Sequence, residues 1–113
     1  MHEYSIVQAL LAKVAAEARA RGASRVRRVR VRIGELAGVE SELLATAFET
    51  FRERTICGEA KLEIRATRAR WRCPRCLRRG KRGGPLRCGR CGSPLVLLQG
   101  DDIVLERIEM EVN

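Results

Sequence analysis

Residues 25–36 read RVRRVRVRIGEL, a stretch in which valine and isoleucine alternate with arginine. Val29, Val31 and Ile33 fall on one side of an extended chain, because successive side chains of a strand point to opposite faces. The arginines between them take the other side: Arg28, Arg30 and Arg32. This period of two predicts a half-buried strand, with a core against one face and solvent against the other.

Further predicted elements surround this strand. Apolar residues at helical spacing predict one helix over residues 5–21, ending before Gly22, and a second over roughly 40–54. Residues 61–66 (KLEIRA) and 101–113 (DDIVLERIEMEVN) alternate again and predict two more strands. The expected fold class is therefore α+β: a small sheet of about three strands with two helices.

The last predicted strand carries acidic side chains on one face. Glu109 and Glu111 alternate there with apolar residues. Opposite charges on facing strands attract each other. If this strand lies beside residues 25–36, ion pairs with the arginine face are expected.

Positive charge is concentrated in one segment of the chain. The formal net charge is +9, and residues 64–100 contain eleven Arg or Lys and no Asp or Glu. Such a shift in composition is typical of a module boundary. We expect an α/β domain made of residues 1–69 and 98–113, with residues 70–97 inserted as a separate module.

Four cysteines of this module form two Cys-x-x-Cys pairs: Cys73, Cys76, Cys88 and Cys91. Four thiolates in a tetrahedral arrangement select zinc, and less readily iron. Because four protein ligands leave no open coordination position, the predicted zinc is structural, and it stands in for a core that so short a segment cannot build. The module is therefore predicted to be a zinc ribbon. The fifth cysteine, Cys57, is expected to be a small apolar residue near the start of a strand.

The first residues, MHEYSI, suggest a second metal site. The α-amine of Met1, the following backbone amide nitrogens and the imidazole of His2 can close successive chelate rings in one plane. Planar nitrogen coordination suits Ni(II) or Cu(II) better than zinc. A flexible chain end that exchanges its ligands easily would suit a carrier. The alternative is a solvated terminal histidine without a role.

Several functional classes are disfavoured. No apolar run approaches the ~20 residues of a membrane span, and Glu3 lies where a secretory signal carries basic residues. We therefore expect a cytoplasmic protein without membrane contact, in which cysteines stay reduced. His2 is the only histidine, and no nucleophile–base pair or phosphate-binding loop is recognisable, so an enzyme is not expected. Two alternatives to a metal carrier remain: a zinc-ribbon module that binds nucleic acid, and a structural adaptor.

The motifs occur in one order along the chain: MHEYSI, VRIGEL, TICGEAKLEI, CPRC, CGRC and a short closing strand. In this order, and over essentially the full length, the chain resembles the HypA/HybF family of hydrogenase nickel-incorporation factors. The resemblance implies transient Ni(II) binding at Met1, His2 and Glu3. It also implies structural Zn(II) at the four cysteines of the module.

The resemblance further implies a biological role and a set of partners. The family assists maturation of nickel enzymes, chiefly [NiFe] hydrogenase and in some organisms urease. Its implied partners are a nickel-handling GTPase of the HypB type and the hydrogenase large subunit. Nucleic acid is not expected as a partner, and the chain is expected to be a monomer or a homodimer. The arginine-rich loop is heavier than the family motif requires, and its purpose is left open.

Overall fold

The computed structural model describes residues 2–112. It contains two helices and five strands in the order α1 (His2–Ala20), β1 (Ala23–Gly34), α2 (Ser41–Phe51), β2 (Lys61–Thr67), β3 (Arg70–Arg72), β4 (Val96–Gln99) and β5 (Ile103–Val112). The predicted helices and main strands are all present. Helix α1 begins earlier than its apolar pattern suggested, and α2 is shorter at its C-terminal end. In this part of the chain, no helix has the length and apolar character to cross a membrane.

Strand β1 is the centre of a three-stranded mixed sheet with the order β2–β1–β5. Strand β2 runs parallel to β1, and β5 runs antiparallel to it. Val31 of β1 therefore lies between Ile64 of β2 and Leu105 of β5. The parallel pair is joined through α2, because a parallel connection needs a crossover. The predicted α+β class and the sheet of three strands are confirmed.

The apolar face of the sheet packs against the two helices. The core includes residues from β1, α1 and α2: Val26, Val29, Val31, Ile33, Val7, Leu11, Val14, Leu44, Ala47 and Phe48. Burial of each larger side chain contributes about 1.5–3 kcal/mol. Cys57 lies fully buried in the same cluster, and burial raises the pKa of its thiol. This agrees with the apolar role expected for it.

The opposite face of the sheet carries the ion pairs. The expected pairing of β1 with β5 is present, since Arg28 Nε lies 3.9 Å from Glu109 Oε2. A closer partner is Glu63 of β2, whose carboxylate accepts hydrogen bonds from Arg28 at 2.7 Å and from Arg30 at 3.1 Å. The hydrogen bond from Arg30 is the main reason that the pKa of Glu63 is lowered. Sequence reasoning missed Glu63 because only the parallel register of β2 places it beside Arg30.

Strands β3 and β4 form a second, two-stranded sheet at the base of the cysteine segment. Trp71 pairs with Leu97 in this sheet. Elements of three and four residues are too short to show a period, so the sequence did not predict them. The expected module boundary at residue 97 falls inside β4. The division into two domains stays a prediction.

The cysteine segment leaves and rejoins the main sheet at a tight crossing of backbones. The amide of Gly34 donates to the carbonyl of Asp102 at 2.9 Å, and the amide of Leu36 donates to the carbonyl of Gly100 at 2.7 Å. A Cβ added to Gly34 would lie 2.2 Å from the carbonyl of Gly100, far inside van der Waals contact. Glycine is therefore required where these two segments cross.

Glu35 ties the cysteine segment to the end of β1. Its carboxylate accepts two hydrogen bonds from the guanidinium of Arg82, at 2.6 and 2.7 Å, and one from the amide of Ala69 at 2.5 Å. The Arg82 contact, followed by the Ala69 amide, lowers the pKa of Glu35 to about 2. Bidentate pairs of this kind fix geometry as well as adding energy.

Candidate metal centres

The two Cys-x-x-Cys pairs adopt the same local structure. In the first pair, the amide of Leu77 donates to the carbonyl of Cys73 at 3.0 Å, and the amide of Cys73 donates to the carbonyl of Arg78 at 2.9 Å. The second pair has the same two hydrogen bonds, with every residue fifteen positions later in the chain. The amide of Gly92 donates to the carbonyl of Cys88 at 2.9 Å, and the amide of Cys88 donates to the carbonyl of Ser93 at 2.8 Å. Each turn therefore presents two sulfur atoms toward the other.

The four sulfur atoms form a single cluster. All lie within 4.8 Å of one another, and the sulfurs of Cys73 and Cys91 are 3.6 Å apart. A tetrahedral zinc with Zn–S bonds of about 2.3 Å requires sulfurs about 3.8 Å apart. Cys73 and Cys88 are buried, whereas Cys91 is exposed. The donor set and its spacing fit a closed four-thiolate metal site.

The pKa values of two thiols of the cluster, Cys91 and Cys76, are shifted in opposite directions. The pKa of Cys91 is lowered to about 6, first because the Ser93 hydroxyl and backbone hydrogen-bond its sulfur. The pKa of Cys76 is raised to about 12, first because its thiol shares a hydrogen bond with Cys91. Like charges so close together repel strongly. Full ionisation of the cluster therefore calls for a cation among the sulfurs.

The N-terminal candidate site is held by the loop between β1 and α2. Nε2 of His2 lies 2.7 Å from the carbonyl oxygen of Gly38. A carbonyl only accepts hydrogen bonds, so this contact requires the ring proton on Nε2. The lone pair of the neutral ring is then on Nδ1. A metal-binding histidine usually donates its second ring N–H to a carbonyl or carboxylate, and here Nε2 does so.

Glu3 supports the same contact. Its side chain is mostly buried, with one carboxylate oxygen 3.6 Å from Nε2 of His2 and 3.5 Å from the amide of Glu40. The pKa of Glu3 is lowered, first by a hydrogen bond from its own amide and further by the Glu40 amide and His2. The carboxylate thus connects the start of α1 with the start of α2.

The structure places His2 and Glu3 in a helix, and the flexibility expected of the chain end stays a prediction. Both belong to the first turn of α1, because the Gly38–Glu40 loop provides acceptors and donors for their side chains. The first amide groups of a helix have no acceptor within its backbone. The amide of Glu3 donates to its own carboxylate and would have to release it to bind a ligand. Met1, the third residue expected at this site, lies outside the described residues.

Sequence reasoning did not find the loop that holds this site. Gly38 has a φ of +72°, the left-handed conformation that glycine adopts without strain. A glycine before a helix signals a turn, but its distance from His2 in the sequence gives no hint of their contact.

Comparisons with known proteins bear on the whole chain. A family model described as hydrogenase/urease nickel incorporation, metallochaperone, hypA matches residues 1–110. Hydrogenase maturation factor HypA of Shewanella halifaxensis is 42% identical, with 98% of each chain covered. That of Aquifex aeolicus is 37% identical, with both chains covered completely.

The fold is also shared with solved structures. The solution structure of the Ni metallochaperone HypA from Helicobacter pylori matches all of both chains, with a TM-score of 0.74 and 32% identity. A second solution structure of a HypA protein matches this chain fully and 98% of its own, with a TM-score of 0.81 and 33% identity. The chain therefore belongs to the HypA family, the non-catalytic nickel metallochaperones of hydrogenase maturation.

Proposed function

We propose that this metallochaperone carries Ni(II) at its N-terminus, on Met1, His2 and Glu3, and holds Zn(II) in the cluster of four cysteines. The observation that carries the nickel assignment is the contact between His2 Nε2 and Gly38. It leaves Nδ1 as the free ring nitrogen. Nδ1 is the nitrogen that closes a six-membered chelate ring with the backbone amide of the same residue.

The start of α1 supplies further donors for this site. The amides of His2 and Glu3 are first-turn groups without helical acceptors. Together with Nδ1 and an α-amine at Met1, they would complete a planar nitrogen set of the kind Ni(II) accepts. His2 is exposed, so the ion can enter and leave without unfolding the core. A site that is open on one side suits a cargo that must be handed over.

The cysteine cluster serves a different purpose. Its sulfur spacing fits zinc, and a closed set of four protein ligands gives no exit route for a cargo ion. Its zinc is proposed to be structural, fixing the two turns and the short sheet of β3 and β4.

Membership of the HypA family supports a proposal for partners and location. We propose that a HypB-type GTPase exchanges nickel with this chain, that the hydrogenase large subunit receives it, and that urease is a second destination in some cells. These encounters belong to the cytoplasm. They are transient, because delivery requires dissociation.

The nickel assignment is tested by titrating Ni(II) into untagged, zinc-loaded protein and its His2→Ala variant, with both metals quantified in each sample. The variant is expected to lose the nickel site and keep its zinc. An N-terminal extension is expected to be as harmful, because it converts the α-amine into an amide. Glu17→Ala, on the same helix and bonded to Arg21, is the matched control and should retain nickel. Nickel retained on sulfur in His2→Ala would refute the assignment.

A further inference from the structure

The positive charge is distributed unevenly between two parts of the chain. Residues 64–100 carry eleven basic and no acidic side chains, whereas the remaining residues carry twelve basic and fourteen acidic ones. A zinc tetrathiolate carries a net charge of about −2 and so balances only two of these eleven positive charges. Most of this positive charge therefore has no counterpart within the segment.

The two parts also differ in how their arginines are paired. On the main sheet, Arg25, Arg28 and Arg30 all lie against carboxylates. In residues 64–100 only Arg65 and Arg82 do so, with Glu106 and Glu35. Nine exposed cations of this segment have no carboxylate within 4.0 Å among residues 2–112: Arg68, Arg70, Arg72, Arg75, Arg78, Arg79, Lys81, Arg87 and Arg90.

Four of these cations line one cavity. It has a volume of about 310 Å³ and is bordered by Arg78, Arg79, Lys81 and Arg87, with Leu95 adding an apolar wall. Guanidinium groups bind carboxylates and phosphates in a planar, two-pronged geometry. The cavity is therefore suited to an anionic group of a ligand.

Leu77 immediately precedes Arg78 in the sequence, does not itself line the cavity, and has an unusual conformation. Its φ is +59°, in the left-handed region that is unfavourable for a bulky side chain. The equivalent residue of the second Cys-x-x-Cys turn is Gly92, with φ +74°, so glycine satisfies the same turn without strain. The side chain of Leu77 is also 65% exposed, the largest exposure among the large hydrophobic residues of residues 2–112.

The turn accounts for the positive φ at position 77, but neither the turn nor burial accounts for a leucine there. Strained residues of this kind concentrate at functional sites. We propose that Leu77 and the adjacent cations form a docking surface, the Leu77 surface, for an acidic segment of a partner protein. It consists of Arg75, Leu77, Arg78, Arg79, Lys81 and Arg87. Leu77 supplies the apolar contact, and the cations, four of which line the neighbouring cavity, bind carboxylates of the same segment. The proposal does not depend on which residues bind nickel.

An acidic protein segment suits this surface better than a nucleic acid. Stacking of bases requires exposed aromatic rings. Trp71 is the only aromatic residue in 64–100, and it is partly buried in the sheet of β3 and β4. The exposed apolar side chains of the module are aliphatic, including Leu86 and Val96. Aliphatic anchors inside a charged rim are typical of protein interfaces.

The proposal is tested with full-length, zinc-loaded protein and a fluorescein-labelled peptide of alternating glutamate and leucine, followed by fluorescence anisotropy. Ionic strength is kept near ~150 mM to screen weak attraction. Leu77→Asn is expected to weaken binding about tenfold. Its thermal stability should be unchanged or higher, since asparagine tolerates a positive φ. Leu77→Met should retain binding. Leu36→Asn alters a leucine exposed to 51% outside the module and should have no effect.

A charge-matched pair of triple variants completes the test. Neutralising Arg78, Arg79 and Arg87 with glutamine should abolish peptide binding. Neutralising Lys13, Arg19 and Arg54, which are exposed residues outside the module, removes the same charge and should preserve binding. Equal effects of the two triple variants would overturn the proposal, as would a loss of stability in Leu77→Asn that accounts for its weaker binding. Tighter binding of single-stranded DNA than of the peptide would assign the surface to nucleic acid instead.

Discussion

Gly38 is the position at which the proposed nickel site can be weakened without removing a ligand. A Cβ at this residue would meet no atom within 4 Å, so the obstacle to Gly38→Val that the structure shows is the left-handed backbone. That conformation costs a bulky residue ~1–2 kcal/mol. The hydrogen bond from His2 contributes ~0.5–1.5 kcal/mol. Since the middle of the range for the strain exceeds that for the bond, we expect the loop to relax and the carbonyl to turn away from the imidazole.

The expected consequence is a loss of nickel affinity. Removal of a group that orients a metal-binding histidine typically lowers metal affinity about 10–100-fold. The lower end, about tenfold, is expected here because the side chain of His2 is 61% exposed and its contact is partly compensated by water. Competition titration against a chromogenic chelator measures the change in zinc-loaded, untagged protein. Nitrogen NMR of the imidazole, labelled with ¹⁵N, should show loss of the Nε2–H preference.

Gly22 offers a matched control. Its φ is +65° and a Cβ there also has open space, but its carbonyl has no bond to His2. Gly22→Val should therefore destabilise the fold by a similar amount and leave nickel affinity unchanged. Equal nickel affinities in Gly38→Val and Gly22→Val would refute a role of the Gly38 carbonyl in orienting His2.

Two further predictions concern the cysteine module. Cys73→Ser should lose zinc and open residues 70–99 to proteolysis, because structural zinc can contribute ~10–16 kcal/mol of apparent free energy; metal analysis and limited trypsin digestion report this. Glu35→Gln should raise the hydrogen-exchange rate of the Ala69 amide, because it replaces a charged acceptor with a weaker neutral one and removes the ion pair with Arg82. Because the pKa of Glu35 in the folded protein is lowered to about 2 from 4.5, its contribution is fully present above pH 4.5 and is lost toward pH 2.

Each of these predictions has a control within the same chain. Cys57→Ala removes a buried thiol outside the cluster and should keep a full complement of zinc. If Cys73→Ser also kept a full complement of zinc, the four-thiolate site would be excluded. Glu59→Gln removes an exposed carboxylate bonded to Arg25 and should leave the Ala69 amide protected. If wild type and Glu35→Gln exchanged this amide at the same rate near neutral pH, Glu35 would not tie the two segments together.

Much of the fold was predictable because its signals are local. The alternation in residues 25–36 and the helical spacing before and after it identify buried faces, since side-chain direction has a fixed period in each element. The two Cys-x-x-Cys pairs predicted a sulfur cluster because that spacing itself forms the turn. Strands β3 and β4 were not predicted, because three or four residues are too few to show the alternation of apolar and polar side chains.

The site is where sequence alone was insufficient. Spacing and chemistry singled out the four cysteines and the excess of arginine around them, whereas His2 was favoured over a solvated terminal histidine by the family resemblance. Only the folded chain brings Gly38 to the imidazole, Glu63 to Arg30 and Glu35 to Arg82, because each contact joins residues more than thirty positions apart. The positive φ of Leu77 is likewise set by the turn and not by the residue's own preference. Local patterns determined the elements and the ligand types of this protein, whereas the packing of distant segments decided how its imidazole is oriented and which of its charges are left for a partner.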